Sequence, residues 1–249
     1  MGSECSSEFK TGRALGGEKM KCTAIVLAAG QGKRMNSSVQ KQFLMLHGKP
    51  LLYYSLECFQ KSEEIEDIIL VTGKECIDFC KKEIIELYGF TKVSSVVVGG
   101  KERYDSVYAG LCACKNTDYV FIHDGARPFV TEEILKRTKE AVVEFQACVV
   151  GMPSKDTVKI ADENGMVKET PRRSRVWSIQ TPQAFSYDLI KKAHECARVG
   201  SMEGITDDAM VIENYTQVPV RLVEGSYENI KITTPDDLFV AEKNLEKNL

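Results

Sequence analysis

Two positive side chains, Lys33 and Arg34, close the small-residue stretch Ala28-Ala29-Gly30-Gln31-Gly32, and a third, Lys41, follows shortly after. Backbone N–H groups in such a loop can approach a polyanion closely, and nearby cations act with them on the same charge. That chemistry suits a nucleoside triphosphate. The loop is not the dinucleotide fingerprint G-x-G-x-x-G/A, because Met35 takes the third small-residue place. Nor is it the phosphate loop G-x-x-x-x-G-K-[ST]. Taken alone, Gly30-x-Gly32 is equally compatible with a plain tight turn, and its cations with a solvated basic loop.

Other segments carry groups of matching chemistry. In His123-Asp124-Gly125-Ala126-Arg127-Pro128, Asp124 suits Mg²⁺, a hard cation that prefers carboxylate and phosphate oxygens. Arg127 can clamp a phosphate. The alternative is an aspartate that satisfies turn amides beside Pro128. Gly99-Gly100, followed by Lys101, Glu102, Arg103 and then Ser106, offers bare backbone to a base edge. Further on come Gln180-Thr181-Pro182-Gln183, Thr206-Asp207-Asp208 and Asn229-Ile230-Lys231. Thr206 is equally suited to cap the helix running through Ile212. Lys231 falls in a short apolar strand, Ile230 to Ile232, where a cation ordinarily faces solvent. His123 has no serine or cysteine nucleophile motif beside it and is expected to be neutral and structural. His47 and His194 are expected at the surface.

The elements that must position these groups follow from the apolar pattern. Strands are expected at Thr23–Leu27, Asp67–Val71, Ser94–Val98, Tyr119–Ile122 and Ala147–Met152. Helices are expected from Pro50 to Cys58, Lys74 to Leu87, Tyr104 to Cys114 and Thr131 to Phe145, the last with Thr131 as its cap. Nearly continuous apolar strands alternating with helices indicate an α/β fold. Its sheet is mostly parallel, Rossmann-like and covered by helices on both faces. Ligands of such sheets bind outside the carboxyl ends of the strands, where the Gly30, Gly99 and Asp124 segments lie. The rhythm breaks between Ser154 and Arg175. There two alternating runs flank Asp162-Glu163-Asn164-Gly165, a hairpin signal. A ribbon with unpaired edges invites a partner, so a projecting arm that forms a homodimer is expected, with a surface decoration as the alternative.

The chain of 249 residues carries a formal charge of −3. It therefore lacks the overall basic footprint of a nucleic-acid binder, and any polyanion site must be a local cluster. No apolar run approaches the roughly 20 residues that span a bilayer. Nine cysteines are scattered without a C-x-x-C pair, as expected of thiols in a reducing cytoplasm. Residues 1–19 are polar and glycine-rich without an apolar signal core. They are expected to be a disordered leader or an expression-derived extension, leaving 20–249 as one domain with the arm at 154–175.

The combined motifs resemble the 2-C-methyl-D-erythritol 4-phosphate cytidylyltransferases. The residues that carry the resemblance are Leu27-Ala28-Ala29-Gly30-x-Gly32-x-Arg34-Met35, Lys41-Gln42, Gly99-Gly100 with Arg103 and Asp105-Ser106, and His123 through Pro128. Asp156-Thr157-Val158-Lys159, Thr181-Pro182-Gln183, Thr206-Asp207-Asp208 and Asn229-Ile230-Lys231 complete it, so that it spans residues 20–247. It implies transfer of CMP from CTP to methylerythritol phosphate with Mg²⁺, releasing pyrophosphate, in non-mevalonate isoprenoid synthesis. It implies that Arg34 and Lys41 stabilise the transition state and the departing pyrophosphate. Ala28, Ala29, Gly30, Gly32, Gly100 and Ser106 would hold the nucleotide, with Asp124 by the ribose and metal. Arg127, Thr157, Thr206 and Arg173 would bind the methylerythritol phosphate, and Lys231 would position it for attack. Thr157 and Arg173 would act across the dimer, Arg173 being preferred over Arg172 and Arg175 by its spacing to Trp177 and Thr181. Lys101 stands where some relatives have an acidic residue, which leaves a backbone contact there.

Ribitol 5-phosphate cytidylyltransferases share most of these motifs. Ala28-Ala29-Gly30 and Asp124-Gly125-Ala126-Arg127-Pro128 favour methylerythritol phosphate. A non-catalytic CTP-binding protein on the same fold should have lost some cations, yet Arg34, Lys41, Arg127 and Lys231 are all present. Replacing Lys41 by Ala is expected to lower kcat more than about tenfold, or roughly 1.4 kcal/mol of barrier. An unchanged kcat in a steady-state pyrophosphate assay would remove Lys41 from the mechanism.

Overall fold

The computed structural model describes residues 20–30 and 40–247. The expected leader, and Gly32, Lys33, Arg34 and Met35 of the first loop, lie outside the described residues. The chain opens with β1 (Cys22–Ala28), a small hairpin of β2 (Met45–Leu46) and β3 (Lys49–Pro50), and α1 (Leu51–Lys61). Next come β4 (Asp67–Thr72), α2 (Ile77–Phe79), β5 (Val93–Val98), α3 (Arg103–Ala113), β6 (Tyr119–Asp124), α4 (Glu132–Phe145) and β7 (Ala147–Pro153). The second half contains β8 (Ile160–Ala161), β9 (Val167–Glu169), β10 (Trp177–Ser186), α5 (Tyr187–Val199), α6 (Asp208–Tyr215), β11 (Arg221–Glu224) and α7 (Pro235–Lys247).

Seven strands form one sheet in the order β11-β7-β10-β6-β1-β4-β5. Every pairing is parallel except those of β10, which runs antiparallel to β6 and β7. Side chains alternate across each strand, and this sorts the core. Ala24, Val26, Ile68, Leu70 and Phe121 face α1 and α4, packing with Leu52, Phe59, Leu135 and Val142. Ile25, Ile69, Val71, Val120 and Ile122 face α3, α5 and α6, packing with Val107, Leu111, Ile190 and Ile212. Both faces of the sheet are thus covered, as the near-continuous apolar strands require. A third, smaller core of Leu46, Leu51, Phe129, Ile232 and Ala241 fastens α7 near the site.

Four boundaries differ from the periodicity. Pro50 is not in the first turn of α1. It is extended (φ −64°, ψ 147°), pairs with Met45, and the helix starts one residue later. The expected helix Lys74–Leu87 is instead a 3-10 turn (Lys74–Cys76), α2, and a π-helical stretch, Cys80–Glu86, that buries Cys80 and Ile84. Ile230 to Ile232 is not a strand. Among the described residues, its backbone link to the sheet end is Ile232 N–H donating to the Ala126 carbonyl (2.9 Å). The neighbouring β6 already pairs with β1 and β10 and has no free edge to offer. Finally, β10 grows from the arm without an apolar alternation to announce it. Its ladder shifts register between Ile179 and Gln183, where the Thr181–Pro182 peptide is cis.

The hairpin around Asn164-Gly165 is present but short. Among the described residues β8 and β9 pair only with each other, and residues 159–170 are all exposed. Asp162 shapes its turn: the carboxylate accepts from the Asn164 and Met166 N–H groups, and Gly165 takes the left-handed φ of 79°. Among the described residues, no helix is long and apolar enough to cross a membrane.

Gly110 lets α3 pack closely on β1, since a Cβ there would overlap Ile25 Cγ2. Gly110→Ala is expected to cost about 1–3 kcal/mol by overpacking. Urea unfolding with an unchanged midpoint would show that α3 can shift without loss.

Candidate active site

The carboxyl ends of β1, β5 and β6 open onto a cleft, and a second cleft adjoins it beside β10. The first is lined by Ala28, Ala29, Gly30, Lys41, Gln42, Gly100, Lys101, Glu102, Arg103, Ser106, Asp124 and Lys231, among others. The second is lined by Arg103, Asp124, Arg127, Ile179, Gln180, Thr181, Gln183, Thr206, Asp207 and Lys231. Arg103, Asp124 and Lys231 therefore border both.

The first loop is held at its root by Gln42, a buried side chain whose amide donates to the Ala28 carbonyl (2.6 Å). The paired glycines are required by close approach. A Cβ on Gly99 would collide with Ala29 Cβ, and one on Gly100 with Asp105 Cβ. Ser106 Oγ accepts from the Gly100 N–H (3.1 Å) and donates to the Glu102 carbonyl (3.3 Å). It shapes the turn that it was expected to share with a base. Asp105 and Glu102 cap α3 reciprocally, and Arg198 Nη1 lies 2.8 Å from Asp105 Oδ1.

Asp124 ends β6 and is the charged hub. Arg103 Nε lies 3.3 Å from its Oδ1 and Lys231 Nζ 2.6 Å from its Oδ2. Burial alone would raise its pKa. The charges of Arg103, Lys231 and Arg127 outweigh burial and hold the carboxyl well below the usual range. Arg103 also places Nη2 at 2.8 Å from Asp208 Oδ2. Burial disfavours its charge, but Asp208 and Asp124 more than compensate and drive its pKa up.

Lys231 comes from the loop before α7, pinned on one side by buried Ile232 and on the other by buried Asn229. Asn229 donates to Gln180 Oε1 (3.2 Å) and to the Thr181 carbonyl (3.0 Å). Arg127 Nη1 donates to the Asn229 carbonyl (2.7 Å). Its Nε is buried without a protein partner, and burial pushes its pKa down.

His123 is fully buried. Its Nε2 donates to the Arg127 carbonyl (3.1 Å), and Nδ1 accepts from Thr181 Oγ1 (3.1 Å), whose oxygen accepts from the Asp124 N–H (3.0 Å). That chain fits one neutral tautomer, and burial lowers the pKa to about 4. The structural role expected of His123 matches this geometry. The expectation for His194 does not hold: it is buried on α5, with neither ring nitrogen hydrogen-bonded. The amphipathic stripe of α5 turns it inward, beside Leu189, Ile190 and Ala193. His47 is exposed.

Thus Lys41, Ala28, Ala29, Gly30, Gly100, Ser106, Asp124, Arg127, Thr206 and Lys231 are brought to the paired clefts. Thr157 and Arg173 are exposed on the arm and line neither, and Arg173 Nη1 donates to the Lys155 carbonyl (3.4 Å). Thr206 is not the cap of α6. Asp207 caps it, accepting from the Met210 N–H (3.0 Å), while Thr206 Oγ1 lies 3.2 Å from Met210 Sδ. Arg103, Asp208, Gln183 and Asn229 appear in the motifs, but periodicity assigns them no role. Their partners are distant in sequence, and the only signal was a charged or amide residue beside a predicted strand end or helix start.

Comparison with known proteins matches residues 22–247 to the family described as IspD: 2-C-methyl-D-erythritol 4-phosphate cytidylyltransferase. The chain belongs to that family. It is similar to the 2-C-methyl-D-erythritol 4-phosphate cytidylyltransferase of Lachnoclostridium phytofermentans, 51% identical over 92% of this chain and 97% of the relative. The Lachnospira eligens enzyme of the same name is 49% identical over 88% and 96%. Among solved structures, the 4-diphosphocytidyl-2C-methyl-D-erythritol synthase of Anaerococcus prevotii superposes with a TM-score of 0.81. It is 36% identical, over 91% of this chain and 96% of that one. The family relation establishes a nucleotidyltransferase, and the α/β architecture with its mostly parallel sheet agrees with it.

The neutral, buried His123 makes stability depend on pH. Its folded pKa lies below the ordinary value of 6.5, so the unfolded chain binds the proton first. The contribution of His123 to stability is therefore expected to be complete above about pH 6.5 and to be lost as pH drops toward 4. His123→Gln should flatten that slope in urea titrations at stepped pH, whereas an equal slope would assign the acid sensitivity to other groups.

Proposed function

We propose that the two adjoining clefts are the CTP and methylerythritol phosphate halves of one active site, within a single domain spanning 20–249. The observation that supports this most directly is the shared border of Arg103, Asp124 and Lys231, with a lysine ammonium at the junction. The substrate phosphate is already a nucleophile, so no strong base is needed, and a neutral His123 is no obstacle. One phosphate oxygen attacks the α-phosphorus of CTP in line. A new P–O bond forms, the α–β bridge breaks, and the electron pair leaves with pyrophosphate. The protein must bring two repelling anions together and neutralise charge that spreads onto phosphate oxygens.

The glycine loops of Ala28 to Gly30 and Gly100 frame the nucleotide, with Ser106 on the same side; the nucleotide role of Gly32 rests on the resemblance alone. Lys41 faces the triphosphate and its leaving group; Arg34, outside the described residues, keeps the role that the resemblance implies. Arg127 and Thr206 take the polyol phosphate on the other side, and Lys231 stands between the two. Among the described residues no group of three or more potential ligands forms a resident metal site. One carboxylate plus triphosphate oxygens is a fitting donor set for Mg²⁺, so Asp124 would hold the ion. Bound there, Mg²⁺ would supply charge neutralisation to the triphosphate. Thr157 and Arg173 would reach the neighbouring subunit's site from the exposed hairpin, making the enzyme a homodimer through the 154–175 arm. The eight described cysteines are all free thiols, which fits a cytoplasmic enzyme.

Pyrophosphate release from CTP should be measured with methylerythritol phosphate and ribitol 5-phosphate side by side. A higher kcat/KM is expected for methylerythritol phosphate. Preference for ribitol 5-phosphate would reassign the substrate, and CTP binding without turnover of either would make the protein a binder.

A further inference from the structure

Asp208 is a carboxylate only 1% exposed at the first position of α6. The start of that helix is already secured without its charge. Gln183 Oε1, on β10, accepts from the Asp208 N–H (2.9 Å) and the Ala209 N–H (3.1 Å). Gln183 Nε2 donates to Asp207 Oδ2 (2.9 Å), and Asp207 Oδ1 caps the turn. What the Asp208 side chain adds is an ion pair with Arg103 Nη2 (2.8 Å), while Arg103 Nε lies 3.3 Å from Asp124 Oδ1. The guanidinium is thus stretched between the nucleotide side and the helix whose preceding residues, Thr206 and Asp207, rim the polyol side. A planar fork can serve two carboxylates at once, which a lysine cannot do with the same geometry.

We propose that Asp208 is a positioning residue of the transfer reaction. It acts through Arg103 to set the spacing between the two halves of the site. With Asp208 neutral, Arg103 is drawn to Asp124 alone and the Thr206–Asp207 rim loses its tie to the nucleotide side. The burial of Asp208 makes the link sensitive, because its carboxylate has no other ion-pair partner among the described residues if Arg103 is lost. The proposal rests on the assignment of the second cleft to the polyol phosphate.

The test is steady-state kinetics of Asp208→Asn, which keeps the shape and removes the charge, with Tm measured alongside. The KM for methylerythritol phosphate should rise at least about fivefold, while that for CTP stays within about twofold. Arg103→Lys should also raise the methylerythritol phosphate KM, and adding Asp208→Asn to it should change that constant less than about twofold, since both remove the same link. Wild-type enzyme that releases no pyrophosphate would overturn the assignment of the clefts, not this coupling. An active wild type whose Asp208→Asn form keeps both KM values, or raises both equally, would overturn the positioning role. If Asp208→Asn does not fold, an unchanged methylerythritol phosphate KM in Arg103→Lys would overturn it as well.

Discussion

A carboxylate buried at the end of a parallel strand must find cations, and Asp124 finds Arg103 and Lys231. Without them its charge would be untenable in that environment. Three stretches of chain must arrive together to supply this: the end of β6, the start of α3 and the loop before α7. Each arrives by ordinary packing. α3 is pressed on β1 and β4 with Gly110 against Ile25, β6 is paired on both edges, and Ile232 is buried in the small core under α7.

The same constraint shapes the chemistry. Under the proposed function, the cations that satisfy Asp124 in the free protein are also those that would face the two incoming phosphates. An anionic ligand would find them already oriented by Asp124, so that little reorganisation would be required during the proposed transfer. Arg127 shows the same economy. Its guanidinium braces the Lys231 loop through the Asn229 carbonyl, yet a buried N–H is left without a protein partner. His123 supports the arrangement from below through a fixed chain of hydrogen bonds that runs from the Asp124 amide to the Arg127 carbonyl.

Local pattern was most legible where side chains alternate against continuous cores. β1, β4, β6 and β7, and α4 with its Thr131 cap, lie within a residue or two of their expected bounds. It was least legible where polar residues dominate or where a neighbour decides. β10 carries Gln180-Thr181-Pro182-Gln183 and is a strand because β6 and β7 flank it. Ile230-Lys231-Ile232 has strand-like residues but lies past the sheet end, with no open edge to pair. His194 sits on the inward stripe of α5, and a lone histidine in a polar-looking run gave no sign of that.

The residue order alone determined the alternation of strands and helices, the turn at Asn164-Gly165, the glycine loops, and the list of cations and carboxylates at strand ends. Those depend on nearest neighbours and on periodicities of two and 3.6 residues. Only the tertiary structure decided which charges pair. Arg103 joins Asp124 to Asp208, Lys231 completes the hub, and two clefts share one border. Such contacts depend on how segments far apart in the chain pack, and electrostatic partners carry no local period by which they could be read in advance.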